Sequence, residues 1–191
     1  MPSAKSARVR EQLLAAKQKK WIVQFSRPFE PGTFTGYVID IGPKFFLLAS
    51  FDDGFEFEEY TLLRIVDIRR LECPANYTQF YAKVRQLRGD KPPARIKIDL
   101  ADTLSILDSL HNSLVTLHRE LVDPDTCEIG YVLSRSKTVV ELLEIDPNAQ
   151  WESEPTYLQI NQLTRIDLPG PYEKALLPAG GKPQFPPTTI P

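Results

Sequence analysis

The sequence contains few of the residues on which metal sites, disulfide frameworks and nucleophilic catalysis depend. Its 191 residues include two cysteines, two histidines and nine glycines. Cys73 and Cys127 lie far apart and outside any Cys-x-x-Cys pair, so we expect free, buried thiols in a reducing, cytoplasmic compartment. No glycine-rich phosphate loop is present in the sequence. We therefore expect neither a bound cofactor nor a metal ion.

Long apolar segments are missing as well. The longest nearly uninterrupted apolar run covers residues 45–51, whereas a membrane helix needs about 20 such residues. The first twenty residues carry six basic side chains and one acidic side chain, without the apolar stretch of a signal peptide. This segment could be a transit peptide, but its pattern favours an exposed leading helix. We expect no membrane association.

Charge and proline are unevenly distributed along the chain. The net charge is only −2, yet residues 1–100 have 17 basic and 12 acidic side chains, a net +5, and residues 101–191 have 6 and 13, a net −7. The sum therefore conceals a dipolar molecule. Five of the 17 prolines fall in residues 178–191. We expect these residues to form a disordered, proline-rich tail.

A repeat links the two halves of the chain. Gly36-Tyr37-Val38 recurs 94 residues later as Gly130-Tyr131-Val132. Further identities follow in the same order at spacings of 92 to 95 residues: Val23 and Val115, Arg27 and Arg119, Pro31 and Pro124, Thr33 and Thr126, Ile65 and Ile160, Arg70 and Arg165, Pro74 and Pro169, Tyr77 and Tyr172. Short insertions in loops produce such a drift. The series predicts a diverged tandem duplication.

Each copy is typical of five short strands. In the first copy we predict strands at residues 21–27, 33–41, 44–51, 55–64 and 66–71, and Asp53-Gly54 predicts a tight hairpin with a positive φ at Gly54. In the second copy we predict strands at residues 114–121, 128–135, 138–145, 156–160 and 162–167. The chain is therefore expected to be mainly β.

Helical patterns flank these strands. Residues 3–19 carry the apolar stripe Val9, Leu13 and Ala16, and Asp102 is positioned to cap a helix before the second copy. Between the copies, a helix with the apolar positions Tyr77, Phe80, Tyr81, Val84 and Leu87 should end at Gly89. We expect these stripes to pack on the strands. The predicted domains are residues 1–91 and 92–177, followed by the tail 178–191.

A leading helix followed by five short strands resembles the Sm-like fold. The similarity lies in residues 36–40, 45–48 and 63–68, where Leu63-Arg64-Ile65-Val66-Asp67-Ile68 is similar to the motif of the family's last two strands. It covers about 50 residues of each copy, and other small SH3-like barrels fit almost as well. The resemblance implies two tandem, five-stranded antiparallel barrels, each preceded by a helix. It also implies RNA binding and ring assembly through edge strands.

The sequence departs from the Sm-like pattern where that family contacts RNA. Family members hold a base with a polar residue, usually Asn, after the second strand, and with a basic residue followed by Gly between the last two strands. Here the turn after the second strand is Gly42-Pro43-Lys44 in the first copy and residues 134–137 in the second copy. Neither copy has the basic-glycine pair. The departure predicts that the base-binding site is absent, and fold similarity alone carries no function.

Two catalytic alternatives find little support. His111 and His118 are the only histidines, and we interpret both as structural or surface residues. The acidic cluster Asp52, Asp53, Glu56, Glu58 and Glu59 lacks the spacing of a calcium loop and is more typical of a solvated hairpin. An enzyme is therefore the least favoured hypothesis.

Nucleic-acid binding is an alternative because of one basic segment, residues 83–97. Its cations follow the aromatics Tyr77, Phe80 and Tyr81, and such combinations bind single strands. The acidic pI near 5.8 argues against it. The candidate nucleic-acid-binding residues are Lys83, Arg85, Arg88, Lys91, Arg95 and Lys97, with Lys44, Arg135 and Lys137 from the turns after each second strand.

A non-catalytic binding or scaffolding protein is the favoured hypothesis. Unprotected edge strands of small barrels pair with other chains. The basic first half and the acidic second half would favour head-to-tail contact, within the chain or between copies. We expect a protein partner or self-association, with nucleic acid as the alternative ligand.

Overall fold

The protein forms two compact units, Met1–Ile96 and Lys97–Pro191, called here unit 1 and unit 2. The structure is a computed structural model that describes residues 4–90, 93–94 and 96–184. Both units consist mainly of antiparallel strands with a few helices, which confirms the predicted mainly β class.

Unit 1 begins with a long helix and ends with a shorter one. Its elements are α1 (Ala4–Lys19), β1 (Ile22–Ser26), β2 (Thr33–Ile41), β3 (Phe45–Phe51), β4 (Phe57–Arg64), a 3-10 helix (Ile65–Asp67), β5 (Arg70–Glu72) and α2 (Thr78–Arg88). The strand predicted at residues 66–71 is wrong in its first half, because the chain forms a turn of 3-10 helix there.

Unit 2 repeats the same order of elements. They are α3 (Thr103–Ser109), β6 (Leu114–His118), β7 (Cys127–Arg135), β8 (Val139–Glu144), β9 (Thr156–Gln159), a 3-10 helix (Ile160–Gln162), β10 (Arg165–Asp167) and α4 (Pro171–Gly180). The predicted cap of α3 is confirmed, since the Asp102 carboxylate accepts a 2.8 Å hydrogen bond from the Ser105 amide.

The strand order is equivalent in the two units. It is β5-β1-β2-β3-β4 in unit 1 and β10-β6-β7-β8-β9 in unit 2. The sheet is not closed: among the described residues no ladder joins β4 to β5 or β9 to β10. The expected closed barrels are therefore not present, although the three-residue strands β5 and β10 each pair with the first strand of their unit.

The second strand of each unit has the same two irregularities. Gly36 and Gly130 cross the neighbouring strand so closely that a Cβ would lie 2.1 Å from the Ala49 carbonyl oxygen or 2.3 Å from that of Leu143. Two residues later the register of both strands shifts, after Val38 in β2 and after Val132 in β7. The repeated tripeptide thus marks a repeated bend and bulge.

The apolar stripe of α1 packs on the sheet of unit 1, as predicted. Val9, Leu13 and Ala16 are buried in one core with side chains from all parts of the sheet: Val23, Phe25, Val38, Phe46, Leu48, Leu63, Ile65 and Ile68. A second, smaller core contains Ile22, Phe51 and Ala75, with Tyr37 and Tyr81 packed against it.

The helix α4 was not expected. Pro171 occupies its first turn, where a missing amide proton costs nothing, and the Glu173 carboxylate accepts a hydrogen bond from the Gly170 amide. Pro178 lies inside this helix, so the tail predicted at residues 178–191 begins too early. Residues 185–191 of that tail lie outside the described part of the chain.

Two further predictions concern the turn after β3 and membrane-spanning helices. In the hairpin after β3 the positive φ belongs to Phe55, at 66°, and not to Gly54 as predicted. In the part of the chain that the structure describes, no helix has the length and apolar character needed to cross a membrane.

Candidate binding surface

The helix α2 carries the aromatic residues and several cations singled out in the sequence. It ends as predicted at Gly89, whose φ of 73° lets its amide bond back to the last turn of the helix. The contacts of its side chains decide which of them can bind a ligand.

Three of the five residues of the predicted apolar stripe face solvent, contrary to the prediction that the stripe is buried, whereas Tyr81 and Val84 are half-buried. Tyr77, Phe80 and Leu87 are 65%, 53% and 78% exposed, whereas Arg85 is only 6% exposed. The helical spacing identifies the stripe correctly, but the sheet below offers aromatic rings that accommodate a guanidinium. The prediction that the stripe packs on the strands is therefore wrong for Tyr77, Phe80 and Leu87.

Arg85 lies on the second core of unit 1. Its guanidinium carbon is 4.6 Å from the centre of the Phe51 ring and 5.8 Å from that of Tyr37. Stacking of this kind stabilises a buried cation because the ring faces are electron-rich. Arg85 therefore holds α2 on the sheet, and it is not a surface residue of the predicted basic segment.

Contacts with the β3–β4 hairpin fix the other side of α2. The ring centre of Phe55 lies 4.4 Å from that of Tyr81, in an edge-to-face arrangement. Arg88 donates a 2.6 Å hydrogen bond to the Gly54 carbonyl and lies 3.9 Å from Glu56. The acidic hairpin therefore binds a cation of its own chain.

The other cations predicted to bind nucleic acid lie on different elements of the fold. Lys83 is exposed on α2, Lys44 is exposed in the β2–β3 turn, and Lys137 is exposed in the β7–β8 turn. Lys97 is exposed and belongs to unit 2, while Lys91 and Arg95 lie outside the described residues. Lys83 is thus exposed on α2 one turn after the exposed Phe80, and the exposed Tyr77 directly precedes the helix.

Arg135 is engaged with the helix α3. Its guanidinium forms a forked ion pair with Asp108, and its Nε lies 2.8 Å from Asp108 Oδ1. This bond lowers the pKa of Asp108 and raises that of Arg135. In unit 1, Lys17 and Asp40 make the corresponding link between α1 and β2 at 2.6 Å, with the charges exchanged. Arg135 is therefore a structural residue.

Unit 2 contains an ionic cluster around the buried Asp167 that the sequence patterns do not predict. His118 Nε2 lies 2.9 Å from Asp167 Oδ2, and Arg165 binds both oxygens of the same carboxylate. Burial raises the pKa of Asp167, but the neighbouring Arg165 and His118 outweigh it, so the pKa lies below its usual range. Strand pairing of β10 with β6 brings these residues together, and no local spacing in the sequence reveals it.

The cysteines are free, as expected, but neither is fully buried. Cys127 lies opposite His118 in the β6–β7 ladder. Partial burial of its sulfur, with Asp167 nearby, raises the pKa of Cys127. A nucleophilic thiol requires the opposite shift. Among the described residues, no group of three or more His, Cys, Asp and Glu side chains could hold a metal ion.

Comparisons with family models, with curated proteins and with solved structures found no match to this chain.

Proposed function

We propose that the protein is a non-catalytic scaffolding protein, built of two tandem modules of the Sm-like or SH3-like kind, which associates head to tail with further copies of itself. One observation carries the proposal: among the described residues neither unit is a closed barrel, and β5 in unit 1 and β9 in unit 2 each lie at one end of the strand order. Terminal strands of this kind pair with strands of other chains.

The backbone of β9 is suited to such pairing. The Ile160 amide donates to the Thr138 carbonyl in the neighbouring chain segment, at 2.8 Å. Because peptide groups alternate in direction along a strand, the amides of Leu158 and Ile160 point towards β8, and that of Gln159 points away from it. An added strand would therefore bind the outer edge of β9 without disturbing the existing ladder.

The charges of the two units favour pairing between unlike ends. Residues 1–96 contain 16 basic and 11 acidic side chains, a net +5, and residues 97–191 contain 7 and 14, a net −7. Unlike units attract and like units repel, so β9 of one copy is directed to β5 of the next. A contact between unlike surfaces continues into rings or filaments.

Light scattering of the full chain at physiological salt tests this proposal. The measured mass should rise above that of a monomer as the concentration increases, and should fall again as salt screens the charges. A monomeric mass at every concentration would overturn it.

Binding of single-stranded nucleic acid is the second candidate. The exposure of Tyr77 and Phe80 favours it, because exposed rings next to a cation such as Lys83 can stack on bases. The engagement of Arg88 and Arg135 in contacts within the chain reduces the number of cations that would contact phosphates.

A further inference from the structure

A groove in unit 1 lies between the last turns of α1, the middle of β2 and the C-terminal half of α2. Its volume is about 780 Å³, which is within the range of small-molecule binding sites, roughly 300–1,000 Å³. Leu14, Val38, Ile39 and Ala82 contribute apolar surface to its lining. The groove therefore has the size and the apolar surface that an organic ligand requires.

Cations outnumber anions in the lining. Lys17 and Lys20 stand at the end of α1, and Arg85 lines the groove from α2, whereas Asp90 is the acidic residue of the lining. Lys17 is bound to Asp40 at 2.6 Å, so Lys20 and Arg85 are the cations on which the argument rests. Arg85 is buried and its guanidinium is held against two rings. A fixed, partly desolvated charge attracts an anion more strongly than a mobile charge in water.

Unit 2 has a glycine at the position that corresponds to Arg85. Gly180 stands 95 residues after Arg85, and a Cβ there would lie 2.6 Å from the Ala149 carbonyl oxygen and 2.8 Å from Ile145 Cδ1. Helix α4 thus packs directly on Ile145 and on the loop between β8 and β9. Trp151 stacks on Tyr131, the counterpart of Tyr37, at 5.5 Å between ring centres.

The main difference between the two units is the residue at this position of the last helix, Arg85 in unit 1 and Gly180 in unit 2. The Arg85 side chain stacks on Phe51 in unit 1, whereas at the equivalent Gly180 the backbone of α4 lies against the Ala149 carbonyl and Ile145. In unit 2 the space between the leading helix and the second strand is a pocket of about 290 Å³, lined in part by the paired Asp108 and Arg135.

We propose that this groove binds a small organic anion, with an apolar body against Val38 and Ala82 and its acidic group between Lys20 and Arg85. The chemical class is a carboxylate, sulfonate or phosphate on an apolar body. Both features are needed, because the cations select the charge and the lining binds the apolar part.

Two fluorescent probes test the proposal on the full chain. 8-Anilinonaphthalene-1-sulfonate has the proposed character, and N-phenyl-1-naphthylamine has the same apolar body without the charge. We expect saturable binding of the sulfonate with one site per chain, and binding of the neutral probe at least about tenfold weaker. Equal binding of the two probes would overturn the proposal.

Variants of α2 locate the site. Ala82→Trp should abolish sulfonate binding by filling the groove, and it should leave the fold intact because Ala82 is exposed. Arg85→Gln should weaken binding about tenfold or more, whereas Lys83→Gln, the same charge change on an exposed residue outside the groove, should have no effect. Circular dichroism checks the fold of each variant. Loss of binding in Phe80→Ser with full binding in Ala82→Trp would place the probe on the exposed stripe and refute the assignment.

Discussion

The backbone of Gly36 in β2 lies against the carbonyl oxygen of Ala49 in β3 at a distance that no side chain can share, since a Cβ would be 2.1 Å from that oxygen. Gly130 has the same relationship to Leu143 in unit 2, at 2.3 Å. The two glycines open the repeated tripeptide, so both copies meet the same steric requirement of the sheet.

Alanine at either glycine should destabilise its unit. We expect Gly36→Ala and Gly130→Ala each to lower the free energy of unfolding by about 2–3 kcal/mol, because β2 or β7 must move away from its neighbour. Urea unfolding followed by circular dichroism measures the change. Gly32→Ala is the matched control, since a Cβ at Gly32 has no atom within 4 Å and should leave the transition unchanged.

The buried cluster around Asp167 should make unit 2 sensitive to acid. The folded-state pKa of Asp167 is depressed, so its contribution to stability is present above the ordinary pKa of about 3.9 and is lost as the pH falls through the lower folded value. Asp167→Asn should cost about 3 kcal/mol at pH 7, where it leaves Arg165 and His118 without the carboxylate.

The difference between wild type and Asp167→Asn should shrink as the pH is lowered from 5 towards 2.5. Unfolding curves measured across this range test the expectation. Asp125→Asn, a change at an exposed aspartate, should show little difference from wild type at every pH. A constant gap between wild type and Asp167→Asn down to pH 2.5 would show that Asp167 is not the group responsible.

The nucleic-acid hypothesis makes its own prediction for α2. If Tyr77, Phe80 and Lys83 bind single strands, Phe80→Ser should weaken binding of a short oligonucleotide by about 1–3 kcal/mol, and Lys83→Glu should weaken it and reduce the salt dependence. Fluorescence anisotropy with labelled RNA at low salt measures both effects. Lys5→Glu makes the same charge change in the first turn of α1 and serves as the control. An undetectable interaction of the wild type with a random RNA pool would exclude this function.

Much of the fold was predictable because it depends on local patterns. The turn residues and the β-branched and aromatic runs located most strands, Asp102 and Gly89 marked helix ends, and Val9, Leu13 and Ala16 gave the buried face of α1. The repeat predicted the equivalence of the two units. Each of these signals acts within a few residues or recurs along the chain.

The wrong predictions concern positions where the local sequence allows two conformations or orientations and a tertiary contact decides between them. The spacing of Tyr77, Phe80 and Leu87 gave the stripe of α2 but not its direction, which is set by the stacking of Arg85 on Phe51. Pro178 suggested a tail, yet the helix α4 continues through it. The cluster of His118, Asp167 and Arg165 forms through the pairing of β6 with β10, which the sequence does not reveal residue by residue.

The association of chains through β9 is tested most directly by a single proline. Gln159 has a φ of −71°, which proline adopts without strain, and its amide points away from β8. Gln159→Pro therefore removes one outward hydrogen-bond donor from the edge, whereas Gln159→Ala keeps it. We predict that wild type and Gln159→Ala form assemblies in sedimentation velocity at physiological salt, while Gln159→Pro sediments as a monomer with an unchanged unfolding midpoint. Assembly of Gln159→Pro to the same extent as wild type would contradict the proposed edge pairing.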